Sequence, residues 1–209
     1  MANTTLLMPI LLCIVSATHL QQDASKADYA QLLKRAKDYD KSLDFGMLRM
    51  AYTKTATYDP VQTSVSESAS IMYKASLSNE YDKVISLANT ILERDYLHIQ
   101  THRILSQTYT IINNNERARY HEWIADSLIT SIVKSGDGKS TSSAYCIVTN
   151  TEPYAVLHKL DFKLAGSVKS IAENGHSFLV FQVLDKSEAK SKVYFNQDAI
   201  FAWFKVGVR

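Results

Sequence analysis

Apolar residues recur at helical spacing up to Val133 and at every second position from Ala144 onward, with Ser135-Gly136-Asp137-Gly138 between the two regimes. A period near 3.6 gives a helix one apolar stripe, whereas a period of 2 gives a strand one apolar face. A run of helices followed by a region of strands argues for a helical layer and then a small antiparallel meander with two helices against it. The expected fold is therefore α+β. It combines an N-terminal helical layer with tetratricopeptide-like spacing and a small antiparallel β-sheet carrying two short helices.

Three helices are the clearest part of the pattern. Tyr81, Val84, Ile85, Ala88, Ile91 and Leu92 form one stripe. Leu97, Thr101, Ile104, Leu105, Thr108, Tyr109 and Ile112 form the next, and Tyr120, Trp123, Ile124, Ser127, Leu128 and Ile132 the third. Glu93-Arg94-Asp95 and Asn113-Asn114-Asn115 break them, and such short connections make consecutive helices antiparallel neighbours. Earlier helices are expected over Tyr29, Leu32, Leu33 and Ala36, after a capping box at Ser25 and Asp28, and over Leu43–Tyr52, before Pro60. A further capping box at Ser64 and Glu67 opens a helix whose stripe reads Ala69, Met72, Tyr73 and Leu77. The 34-residue tetratricopeptide signature is incomplete, so this is a helical layer rather than a repeat array.

After the switch, Gly136 is expected to end the last helix at positive φ. Ala144, Cys146 and Val148 then share one strand face, which predicts a buried Cys146 thiol. Pro153 sits in the first turn of a short helix over Glu152–Leu160. Strands follow over Lys163–Ala172, His176–Leu184 and Lys192–Phe195, the first two joined at Asn174-Gly175, a strong hairpin turn. Asp198 is expected to cap a terminal helix carrying Ile200, Phe201, Trp203 and Phe204.

The first 17 residues carry no charged side chain, and Leu6 to Val15 is apolar except for Pro9. That run is too short to span a bilayer and suits a signal peptide, with small residues at Val15-Ser16-Ala17 for cleavage. The expected organisation is a signal peptide over 1–17, a helical region over 18–134 and an α+β region over 135–209, packed as one compact unit. Leu12 before Cys13 argues against lipidation, because the lipidating enzyme needs a small residue there. No later stretch is apolar enough to span a membrane, so a periplasmic or secreted location is expected.

Charge excludes more than it assigns. Residues 18–134 hold 14 Lys and Arg against 14 Asp and Glu, and residues 135–209 hold 9 against 7. Neither part has the one-sided field of a nucleic-acid binder. Gly136-Asp137-Gly138-Lys139-Ser140-Thr141 imitates the end of a phosphate-binding loop, but Val133 stands where its first glycine belongs, and a strand rather than a helix follows. His98 and His102 have zinc-chelating spacing, with His121 or Glu122 next in line. His121-Glu122 lacks its second histidine, since Ala125 and Asp126 follow, and the histidines read as solvated or half-buried helix residues. No metal or cofactor is called for.

Tyrosine packs its ring while its hydroxyl reaches a partner, and Tyr52, Tyr58, Tyr73, Tyr81, Tyr109 and Tyr120 are spread over the helical region. The candidate binding residues are Tyr52, Tyr58 and Tyr109, joined by Asp137 and Asn196 from the second region.

Several motifs together resemble a known family. Leu43-Asp44-Phe45, Leu48-Arg49, Tyr52, Thr55 and Tyr58 resemble the opening of the bacterial domain-of-unknown-function family 4919. Ser135-Gly136-Asp137-Gly138, Ala144 to Val148, Glu152-Pro153-Tyr154-Ala155-Val156-Leu157 and Tyr194-Phe195-Asn196 resemble its second block. Pro153 departs from the Glu-Glu-Tyr of many members. The resemblance implies an exported bacterial protein and supplies no activity or catalytic residue.

The function expected is a non-enzymatic binding or assembly module that meets another envelope protein or a peptide. The alternative is a cell-envelope or glycan-directed hydrolase, with a site near the 135–140 loop assembled from Asp137, a histidine and Asn196. Export predicts that the protein isolated from its source begins near Thr18. N-terminal sequencing checks this, and a start at Met1 or Ala2 contradicts it.

Overall fold

A computed structural model describes residues 29–207. The signal-peptide segment and the Ser25–Asp28 capping box lie outside the described residues. Among the described residues, eight α-helices and a five-stranded sheet make the fold α+β. The helices before the loop are α1 (Tyr29–Lys37), α2 (Phe45–Tyr52), α3 (Ser66–Leu77), α4 (Tyr81–Arg94), α5 (Ile99–Ile111) and α6 (Asn115–Val133). After it come β1 (Tyr145–Cys146), α7 (Glu152–Lys159), β2 (Lys163–Leu164), β3 (Lys169–Glu173), β4 (His176–Leu184), β5 (Lys190–Asn196) and α8 (Asp198–Gly207).

The helices start and stop for local reasons. Asp44 caps α2 by accepting the amides of Gly46 and Met47. His98 caps α5 through its ring nitrogen, and Asn114 caps α6 by accepting the Arg117 amide. Asn113 turns the chain between α5 and α6 at a φ of 62°, a left-handed conformation asparagine tolerates well. The expected capping box at Ser64 is corrected: Val65 occupies the cap position and no side chain bonds there. The α3 stripe is corrected as well. Met72 and Ala75 face inward, while Tyr73 and Leu77 are exposed.

Burial divides the described residues into two apolar clusters. The smaller joins α3, α4, α5 and the start of α6 through Met72, Val84, Ala88, Ile91, Leu105 and Ala118. The larger joins α1, α2, α6 and α7 to the sheet through Leu48, Tyr52, Leu128, Ile132, Val156, Phe181 and Phe195. Leu92 packs against both. The period switch therefore marks a change of secondary structure within one core, because α6 lies against α7 and β1 beyond the loop.

The strand order is β1-β5-β4-β2, and β3 also pairs with β4. The sheet is mixed where an antiparallel one is expected: β1 runs parallel to β5, pairing Tyr145 with Phe195 and Cys146 with Asn196. Parallel pairing needs a long crossover, and α7 with the β2–β4 segment supplies it. The hairpin at Asn174-Gly175 forms as expected, with Glu173 opposite His176. The expected strand over Lys163–Ala172 divides into β2 and β3.

Two expectations about the loop and β1 are also corrected. Gly138, at a φ of 69°, is the left-handed residue, not Gly136. Gly136 is needed for a different reason: a Cβ there would lie 2.3 Å from the Ser143 carbonyl oxygen. Cys146 is only half-buried, although Ala144, Tyr145, Ile147 and Val148 around it are all buried.

A buried ion pair joins the two parts. Arg49 of α2 meets Glu152 of α7 in a bidentate contact, Nε to Oε1 at 2.9 Å and Nη2 to Oε2 at 2.8 Å. Both side chains are 3% exposed. Nη2 also donates to the Cys146 carbonyl, while Glu152 Oε2 accepts the Val148 and Thr149 amides. Removing one partner of such a pair leaves the other charge buried and costs about 3–5 kcal/mol. Arg49→Met and Glu152→Leu are each expected to lose about that much in urea denaturation. The double variant should lose less than the sum, because no orphaned charge remains. Strictly additive losses would show that the pair is uncoupled.

Candidate functional site

An aromatic cleft of about 350 Å³ lies between α8, the α7 end and the β3–β4 strands. Its position follows from how α8 begins. β5 ends at Asn196, whose Oδ1 accepts the Asp198 amide. Gln197 donates its amide to the Ser177 carbonyl and accepts the Phe201 amide. Asp198 is therefore not the simple cap expected. Its carboxylate accepts the Ser177 amide, the His176 ring N–H and the Asn196 side-chain amide, which ties the helix start to β4.

So anchored, α8 buries Ile200 in the core and leaves Phe201 and Phe204 about half exposed. Opposite them, Tyr154 of α7 is 52% exposed, and its ring meets Phe181 of β4 edge-on at 5.6 Å. Leu179 and Val168 complete the apolar wall. Three neutral polar side chains share it: Asn150, Ser170 and Gln197. Gln197 is 8% exposed. Its Nε2 donates to Ser170 Oγ at 3.0 Å and to Ser177 Oγ at 2.9 Å. Among the described residues no donor meets Oε1, which is open to solvent.

The residues singled out from sequence lie elsewhere. Tyr52 and Tyr58 are buried side by side with rings edge to face at 5.2 Å. Tyr52 Oη accepts the Asp59 amide, and Tyr58 Oη donates to the Val148 carbonyl. Burial holds both phenols well above the usual tyrosine range. Tyr109 is buried as well, its hydroxyl accepting from Arg117. Asp137 is exposed, with Oδ1 taken by the Lys139 amide and the Ser143 hydroxyl. Hydrogen bonds from Ser143 and Lys139 lower its pKa. Asn196 does join a histidine, but through Asp198 and His176 rather than through Asp137.

Sequence reasoning missed the cleft. The available signal was α8 itself, which carries Ile200, Phe201, Trp203 and Phe204, more apolar positions than one buried stripe accommodates. Arg49 and Glu152, both noted within motifs, went unread as a pair because 103 residues separate them.

The structure also gathers those motifs. Arg49 and Tyr58 from the first block meet Glu152 and Val148 of the second, and Tyr52 packs on Tyr58. A family model matches residues 16–202, described as a domain of unknown function, DUF4919. The chain belongs to the DUF4919 family. No curated protein and no solved structure matches it. Among the described residues, no helix is long and apolar enough to cross a membrane, and no group of three His, Cys, Asp or Glu could hold a metal ion.

The histidines of this DUF4919 chain are packed more tightly than expected. His98 and His102 are buried, and His102 Nδ1 lies 2.9 Å from His121 Nδ1. The Tyr96 carbonyl can only accept, so His102 Nε2 donates to it, and His102 Nδ1 must accept from His121. A proton on His102 would break that arrangement. Burial, then the neighbouring His121, lowers the pKa of His102 to about 3. Burial likewise lowers His98 to about 4, and burial with Arg117 lowers His121 to about 4.

Unfolding returns these groups to about 6.5. Below that value the unfolded chain binds more protons, so stability falls as pH falls towards 4. Asp95 acts oppositely. Burial raises it to about 6 despite the Gln62 hydrogen bond, so its contribution is present at low pH and is lost as pH rises through 6. Three histidines against one carboxyl predict a melting temperature that drops between about pH 6.5 and pH 4. Thermal scans across that range check it. His102→Gln should flatten the slope, and a melting temperature that rises on acidification contradicts the assignment.

Proposed function

We propose that this DUF4919 protein is an exported, non-catalytic binding module of the bacterial cell envelope, and that the cleft beside α8 contacts its ligand. The observation that carries the reading is the cleft lining: aromatic rings left exposed around an unfilled acceptor, with no charged side chain among the residues that form it. Ligand sites characteristically combine an apolar wall with a few placed polar groups. The uncharged, apolar run before residue 18 supports export. The successive packing of α3, α4, α5 and α6 supports a tetratricopeptide-like helical layer, which serves here to brace the larger core.

The test uses the mature protein labelled with ¹⁵N and a protease- and muramidase-treated envelope digest as the probe. Amide shifts are expected at Ser170, Leu179 and Phe201, with the digest unchanged in mass spectrometry. Shifts confined to the 135–140 loop, or consumption of a digest component, would overturn the reading and favour the hydrolase.

A further inference from the structure

We infer that the cleft beside α8 takes a neutral saccharide ring. This rests on the binding reading above and names its ligand class. The first reason is electrostatic. Asn150, Ser170 and Gln197 supply the polar part of the lining, and none carries charge. An ionic ligand would find no counter-charge among those side chains, and the Lys205 ammonium, 5.1 Å from the Phe201 ring centroid, lies outside the lining.

The second reason is the rings. Tyr154, Phe201 and Phe204 are each about half exposed around the cleft. An aromatic face is the negative end of a quadrupole. It attracts polarised C–H bonds, and a pyranose presents a set of these on one flat face because each carbon bears oxygen. A hydrocarbon chain offers weaker C–H dipoles and has no preference for a ring face.

The third reason is the acceptor. Both Nε2 hydrogens of Gln197 are committed to Ser170 and Ser177, so the amide is fixed and Oε1, open to solvent, is free to accept from a ligand. A hydrocarbon covering it would leave a buried carbonyl unsatisfied. A sugar hydroxyl donates to Gln197 Oε1 and still accepts from the Asn150 amide or the Ser170 hydroxyl. Groups that both give and take hydrogen bonds thus face a ligand whose groups do the same.

The experiment titrates the folded mature protein with neutral di- and trisaccharides of glucose, mannose, galactose and N-acetylglucosamine. Calorimetry and amide shifts provide the readout. At least one saccharide is expected to bind with shifts at Ser170, Leu179 and Phe201. Tyr154→Ala and Phe201→Ala, both at exposed positions, should each weaken it about tenfold. Tyr73→Ala, on the distant helical layer, should leave the Kd unchanged. A deoxy analogue lacking the hydroxyl that meets Gln197 should bind far more weakly than its parent.

The inference is overturned if no neutral saccharide binds, or if binding ignores both aromatic substitutions. Uncharged peptides form the parallel arm. If they alone shift the cleft amides, the saccharide class falls and the binding reading stands. If neither shifts them and the envelope digest is also silent, both fall.

Discussion

Arg49 and Glu152 set the geometry on which the rest depends. Two charges removed from water gain stability only when every donor and acceptor is used. Here the guanidinium reaches both carboxylate oxygens and the Cys146 carbonyl, and the carboxylate also takes the Val148 and Thr149 amides. The pair therefore fixes backbone as well as side chains. It holds the segment between β1 and α7 against α2. α7 starts at Glu152 itself, so the same contact orients Tyr154 two residues on and with it one wall of the cleft.

Other contacts converge on that segment. Tyr58 donates its hydroxyl to the Val148 carbonyl, and the Asn150 amide donates to the Pro60 carbonyl. Gln62, held at a φ of 56°, donates to Asp95 Oδ2 at 2.6 Å and accepts from the Thr151 hydroxyl at 2.7 Å. A non-glycine residue in the left-handed region persists only where its surroundings over-determine it. Here that conformation lets one amide join the α4–α5 connection to the start of α7. The long irregular stretch between α2 and α3 thus acts as a joint between helices and sheet, which explains why it contributes Tyr58 to the larger core.

Much of the architecture was legible because it is periodic. The α4, α5 and α6 stripes, the Asn174-Gly175 hairpin and the Pro153 helix follow from local spacing and turn chemistry. The failures are where spacing is silent. A period cannot distinguish a parallel from an antiparallel neighbour, so β1 beside β5 was hidden. It cannot choose between Met72–Ala75 and Tyr73–Leu77 in a helix with two candidate stripes. Alternation itself fails around β1, where Ala144, Tyr145, Ile147 and Val148 are all buried and Cys146 alone is half-buried. Tyrosine count likewise misled, because Tyr52, Tyr58 and Tyr109 satisfy their hydroxyls inside the protein. The cleft joins residues from positions 150 to 204, a juxtaposition no local pattern encodes.

The exposed apolar residues of α3 and those around α8 differ, and physics separates them. Ile71, Tyr73 and Leu77 project from the outer side of α3, and scattered apolar side chains on a helix exterior are ordinary. Phe201, Phe204 and Tyr154 instead surround a concavity whose floor includes Phe181 and the amide of Gln197. Lys205 Nζ lies over the Phe201 ring at 5.1 Å from its centroid, a cation–π contact. Rings concentrated around a fixed, unfilled acceptor are costly to keep in water, and folding alone does not require them, since Ile200 and Trp203 already dock α8 on the core. The exposed rings of α8 are therefore the footing of the ligand site proposed above, while the apolar residues of α3 need no such account.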